Sequence, residues 1–95
     1  SKADALLDFE KLIFPLEIRL WQAGDHFVPL GMKGSKKVSD YLIDEKVARN
    51  EKEKTFVLTS NNQIVWLIGH RIDERYKVGT STQIMYLARL HKFSV

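Results

Sequence analysis

Thr55-Phe56-Val57-Leu58-Thr59-Ser60-Asn61-Asn62-Gln63-Ile64-Val65-Trp66-Leu67-Ile68 is the stretch that decides the fold. Two runs rich in β-branched and aromatic residues flank Asn61-Asn62, and asparagine tolerates the positive φ that a tight hairpin turn needs. A two-residue loop sets Val57 opposite Trp66 and Leu58 opposite Val65. Both faces of the hairpin are apolar, which places it centrally in a sheet with cover on each side.

Working outward, Gly69 ends the second strand, and His70-Arg71-Ile72-Asp73-Glu74-Arg75 is a polar segment. Thr82–Leu90 reads as a further strand, with Thr82, Ile84, Tyr86, Ala88 and Leu90 on one face. Upstream, Val38, Tyr41 and Leu42 fall at i, i+3 and i+4 and make the apolar face of a helix. Ser35 is its expected N-cap, Lys36 and Asp40 its expected ion pair, and Asp44-Glu45-Lys46 its end. Val47–Lys54 suggests a second short helix, whose mixed charges from Arg49 to Lys54 read as a solvated face. Leu16, Ile18 and Leu20 alternate with Glu17, Arg19 and Trp21, the pattern of a half-buried strand on which Arg19 and Trp21 share the other face. Before it, a short strand and a helical turn at Asp8–Leu12 are expected, with Asp8 as N-cap. Gly24-Asp25 marks a turn, and Pro29 limits pairing after Phe27 and Val28. The order β, loop, α, α, hairpin, β predicts the α+β class: a small single domain over residues 1–95, with a mostly antiparallel sheet and one or two short helices.

Composition sets limits. A chain of 95 residues makes one domain with one modest core. It has no cysteine, so neither a disulfide framework nor a thiolate metal site can form, which fits a cytoplasmic location. No apolar run approaches the ~18 residues of a membrane span, and the first residues lack the apolar core of a signal peptide. The chain begins with Ser1 rather than Met, which suggests a fragment of something longer or the remnant of a tag. A net charge of +3 is too small to argue for nucleic acid by itself, so the placement of charge matters more.

The clearest basic cluster is Gly31-Met32-Lys33-Gly34-Ser35-Lys36-Lys37. A glycine loop running into a helix N-terminus offers free N–H groups to an anion, and lysines add full charges there. The spacing is neither that of a P-loop nor that of a dinucleotide-binding turn. The simpler reading is a glycine turn feeding a helix, with the lysines in solvent. Arg71 and Arg75 around Asp73 read first as an arginine–carboxylate network fixing a turn, and second as guanidinium forks for a nucleic-acid backbone. Trp21 reads as a packing residue or as a stacking platform for a base. His26, His70 and His91 lack paired metal-ligand spacing, and no nucleophile elbow or convergent carboxylate pair is visible, with Asp25, Asp40, Asp44 and Glu45 read as caps or surface groups.

From Arg19 to Asp40 the chain resembles the pattern R-x-W-x-x-G-D-x-F-x-P-x-G-M-x-G-x-K-K-x-S-D, and Ile64 to Asp73 resembles I-V-W-x-x-G-x-R-x-D. Both belong to the C-terminal domain of bacterial tRNA(Ile)-lysidine synthase, and the resemblance extends from Leu16 to Lys77. It implies a parent ligase that uses ATP with Mg to adenylate the wobble cytidine of tRNA(Ile) and lets lysine displace AMP. That chemistry sits in an N-terminal PP-loop domain carrying S-G-G-x-D-S, a motif this chain lacks. The resemblance therefore implies a non-catalytic module without a cofactor of its own. Its implied role is to hold tRNA(Ile) on the acceptor-stem side, alongside other domains of the same enzyme. RNA contacts are expected from Arg19, Lys33, Lys36, Lys37, Arg71 and Arg75, while Gly24, Asp25, Gly31, Gly34 and Asp73 shape the loops. The alternatives are an interdomain packing or homodimerisation module, motivated by the two-faced hairpin and Trp21, and a nucleotide binder using the glycine loop.

Overall fold

The computed structural model describes residues 2–92. The central sheet has four antiparallel strands in the order β2 (Glu17–Leu20), β5 (Phe56–Ser60), β6 (Gln63–Leu67), β7 (Arg71–Ile72). Two ribbons flank it: β1 (Asp4–Asp8) pairs with β8 (Met85–Arg89), and β3 (His26–Phe27) with β4 (Lys36–Lys37). The helices are α1 (Val38–Asp44) and α2 (Arg49–Lys52), with 3-10 turns at Phe9–Lys11 and Glu74–Tyr76. This is the expected small α+β domain, with all pairing antiparallel but divided among three sheets.

The hairpin is central and covered on both faces. Val57, Ile64 and Leu67 pack with Phe27, Val38, Tyr41 and Leu42 on the helix side. Leu58, Val65 and Trp66 pack with Ala5, Leu7 and Leu12 on the other. Asn61 and Asn62 take φ of 50° and 66°, the left-handed geometry a two-residue turn requires. The register departs from the expectation above the turn. Ser60 pairs with Gln63 and Thr59 with Ile64, but Leu58 then meets Trp66 and Val57 meets Leu67. Val65 is the extra residue of a β-bulge, and its carbonyl accepts the Asp73 N–H at 2.8 Å. Because of the bulge, neighbours Val65 and Trp66 both face the β1–β8 ribbon, while Ile64 and Leu67 face the helix.

Strand β2 forms where the alternation predicts it, with its faces reversed in burial. Trp21 packs on the helix-side core and donates Nε1–H to the Lys52 carbonyl at 2.7 Å, the packing role rather than a stacking platform. Ile18 and Leu20 are 66% and 46% exposed. Strand β2 is the sheet edge, and Ile18 lines an open groove of about 580 Å³ between it and β8. Leu20 pairs with Phe56, itself 44% exposed, so an apolar patch remains on this side.

Asp8 caps the first 3-10 turn as expected, accepting the Glu10 N–H at 3.2 Å. Tyr86 and Ala88 on β8 and Leu90 just after it turn to the core as the alternation predicts, whereas Ile84 lies before the strand and is exposed. Val38, Tyr41 and Leu42 are the buried face of α1, and this helix stops after Asp44. Its start differs: Lys37, not Ser35, occupies the N-cap position, and no side chain caps it. The reason is that Lys36 and Lys37 are consumed by pairing with Phe27 and His26.

Candidate nucleic-acid interface

In the Gly31 loop the first two amides are already taken up by the protein. Pro29-Leu30-Gly31-Met32 is a β-turn closed by Met32 N–H to the Pro29 carbonyl at 2.9 Å, with Gly31 at φ 90° in the position that favours glycine. The Gly31 N–H already donates to Glu74 Oε1 at 2.9 Å. This bond and the Lys77 ammonium both lower the pKa of Glu74, the lysine contributing more. The loop is laced to the segment after β7 by Leu30 N–H to the Ile72 carbonyl and Glu74 N–H to the Val28 carbonyl. Strand β4 lies between the loop and α1.

The two arginine–aspartate pairs are forks. Asp73 is fully buried and accepts four hydrogen bonds: the Val28 and Arg75 backbone N–H groups at 2.8 Å each, and Arg75 Nε and Nη2 at 3.0 Å each. Its hydrogen bonds to Arg75 raise that guanidinium's pKa above its ordinary value. Arg19 makes the matching fork, Nη1 to Asp25 Oδ2 at 2.8 Å and Nη2 to Oδ1 at 3.0 Å. Burial pushes the Asp25 carboxyl up, but Arg19 and the Gln22 N–H outweigh it and hold the group below the ordinary carboxylate range. Asp25 and Asp73 thus fix loops, as expected. Gly24 precedes Asp25 at φ 93° in a second turn, whereas Gly34 takes no positive φ and has open space around it.

These forks converge. Arg19, Asp25, His26, Asn62, Gln63, Ile64 and Arg75 surround one recess of about 130 Å³ at the hairpin tip. His26 pairs with Lys37 across the ribbon, so their side chains share a face and Lys37 flanks the same region. Phe27, on the opposite ribbon face, is buried. Lys36 pairs with it and reaches Asp44, not Asp40, because the strand carries its side chain along α1 instead of into a helical i, i+4 position. That bond raises the Lys36 pKa.

Arg71 lies elsewhere. Its guanidinium sits 5.7 Å from the Tyr41 ring centroid and Nη1 donates to the Leu30 carbonyl at 3.5 Å. It borders a groove of about 710 Å³ whose rim adds Lys2, His70 and Arg89 and whose floor includes Trp66 and Leu87. Arg89 is held by Asp4 at 2.8 Å. Lys33 is exposed at the loop tip, and neither it nor Lys37 forms an ion pair among the described residues. Of the six expected residues, Arg19 and Arg75 line the recess with Lys37 beside it, while Lys36 reaches Asp44, Arg71 lies by the Tyr41 ring and Lys33 is exposed on the loop. His26, Asn62 and Gln63 join the recess without having been read from the sequence. The turn role of Asn62 was visible, but the pairing of His26 with Lys37 was not. No group of three potential metal ligands occurs among the described residues.

Comparison with known proteins places this geometry in a family. A profile described as the TilS substrate C-terminal domain matches residues 16–88. The chain belongs to this family. It is 51% identical over 83 residues to the tRNA(Ile)-lysidine synthase of Parabacteroides distasonis, covering 87% of the chain and 19% of that protein. It is 42% identical over 90 residues to the tRNA(Ile)-lysidine synthase of Bacteroides thetaiotaomicron, covering 95% of the chain and 21% of that protein. The chain therefore spans about a fifth of the length of these relatives. The crystal structure of a TILS C-terminal domain shares the fold, with a TM-score of 0.76 at 23% identity over 90% of this chain and 66% of the other.

Proposed function

We propose that this chain is the tRNA-holding module of a tRNA(Ile)-lysidine synthase, itself non-catalytic and without a cofactor. In this reading a PP-loop domain elsewhere in a cytoplasmic enzyme uses ATP and Mg to convert the wobble cytidine to lysidine. The module holds tRNA(Ile) from the acceptor-stem side. The observation that carries the reading is the gathering of Arg19, Arg75 and Lys37 on one side of a domain of this family. An RNA stem offers phosphates and 2′-hydroxyls and little base information, and arginine forks suit that surface. Binding of the 95-residue chain to an RNA acceptor-stem hairpin across a salt series tests it. Affinity that falls steeply with salt supports the reading, and no measurable binding at low salt overturns it.

A second reading has its own support. Ile18, Leu20 and Phe56 form an exposed apolar patch on the sheet edge. Such a patch suits packing against the remainder of a longer enzyme, or against a second copy. Sedimentation of the chain with and without Ile18→Lys separates self-association from a face reserved for another domain.

A further inference from the structure

The recess at the hairpin tip has a more specific use. Each arginine commits one edge of its guanidinium to an aspartate: Arg75 side-on through Nε and Nη2, Arg19 end-on through both Nη atoms. This leaves Arg75 Nη1 and Arg19 Nε without an acceptor among the described residues, although both residues line the cavity. The aspartates therefore orient the forks, and little side-chain entropy remains to be lost when a ligand arrives. His26, Asn62 and Gln63 complete the wall with groups able to donate hydrogen bonds. The Gln63 side-chain oxygen is already engaged by the Tyr76 hydroxyl, which leaves its amide N–H groups for the ligand. A cavity of about 130 Å³ holds roughly four waters at about 30 Å³ each. That is room for one tetrahedral oxyanion, and a lining rich in hydrogen-bond donors suits an oxyanion better than the flat face of a base.

We propose that the recess between Arg19, His26, Asn62, Gln63 and Arg75 receives a single phosphate group of the bound RNA. The inference rests on the tRNA-holding reading above. Asp25 also lines the recess, but its Oδ1 accepts from Arg19 and its Oδ2 from Arg19 and the Gln22 N–H, so both oxygens face bound donors. Asp73 lies fully buried behind Arg75. The two forks and two carboxylates cancel in formal charge. The site therefore works by directed hydrogen bonds more than by net charge, and it gains from the lysine beside it at position 37. The phosphate is either the 5′-terminal monoester or an internal diester.

The test places a carboxylate in the wall without touching either fork. Asn62→Asp suits the left-handed φ of 66° and lines the recess, whereas Asn61→Asp adds the same charge one residue away, outside the lining. Asn62→Asp is expected to weaken binding of an acceptor-stem RNA hairpin on the order of fivefold more than Asn61→Asp at low salt. In parallel, inorganic phosphate is expected to shift the Arg19 and Arg75 side-chain N–H resonances of the wild-type chain. Equal affinities of the two variants for RNA overturn the recess and leave the RNA reading standing. Phosphate-induced shifts in a chain that binds no RNA keep the recess and overturn the RNA reading. Absence of both overturns both. A hairpin lacking its 5′-phosphate identifies the source: lost affinity assigns the terminal monoester, and unchanged affinity with the Asn62→Asp effect intact assigns an internal diester.

Discussion

Arg75 grips Asp73 through two nitrogens at 3.0 Å, and it does so two residues along the chain from a carboxylate that no solvent reaches. The same carboxylate holds the Val28 N–H, so one buried group ties the segment after β7 to the chain leading into the glycine turn.

Replacing Asp73 is expected to loosen both segments. In Asp73→Asn one oxygen and one NH₂ must serve four donors, so donors are left without acceptors in a buried site. The expected loss is about 2–3 kcal/mol in urea unfolding. Arg75→Lys keeps the charge and gives up the planar fork. Its cost is expected to be smaller, about 1–2 kcal/mol, because Arg75 is half exposed and the backbone bonds to Asp73 remain.

Lysines at adjacent positions are expected to behave differently. Lys36 is engaged by Asp44, while Lys37 has no ion pair among the described residues and stands beside His26. Lys37→Ala is expected to lower RNA affinity and reduce the slope of log K against log salt by about 1. Lys36→Ala is expected to change that slope by much less. Filter binding between low and moderate salt measures both, and equal slope changes would remove the distinction.

How much of this was legible in the sequence depends on the range of the interaction. The hairpin, its central place, the apolar face of α1 and the Asp8 cap follow from local spacing and turn chemistry, and they appear where expected. The bulge at Val65 was not legible, because it is set by Asp73 reaching back to the Val65 carbonyl across the sheet. Strand β4 displaced the helix start for a similar reason: two residues pair with His26 and Phe27, too few to leave a periodic signal. The alternation in β2 gave the strand but not its buried side, since neither a fork to Asp25 nor the groove left between β2 and β8 is written in residues 16–21. For the site, the charged residues were legible and their grouping was not.

His70 gives the chain a dependence on mild acid. Burial, with Lys2 nearby, holds the imidazole pKa below its ordinary value of 6.5. The folded state therefore resists a proton that the unfolded state accepts. The contribution from this residue is full above 6.5 and is lost as pH falls toward the depressed folded pKa. Denaturant midpoints are expected to drop between pH 7.5 and pH 5.5 and to drop less in His70→Gln. A variant with the same pH dependence as the wild type would place the effect on another group.

The reversed faces of β2 make the last prediction a comparison of two apolar residues. Leu67 is fully buried between β5 and β7 in the helix-side core, and Ile18 is 66% exposed at the sheet edge. Leu67→Ala removes buried methyl groups and leaves a cavity, with an expected cost of about 2–5 kcal/mol. Ile18→Lys removes little buried area, and the lysine stem still covers the strand, so its cost is expected to stay within about 0.5 kcal/mol. A charged residue there also blocks edge pairing with another chain. Urea unfolding gives both numbers. A loss of several kcal/mol for Ile18→Lys would mean that this edge is covered in solution, by a second copy of the chain, and sedimentation of the same variant would then show a shift to monomer.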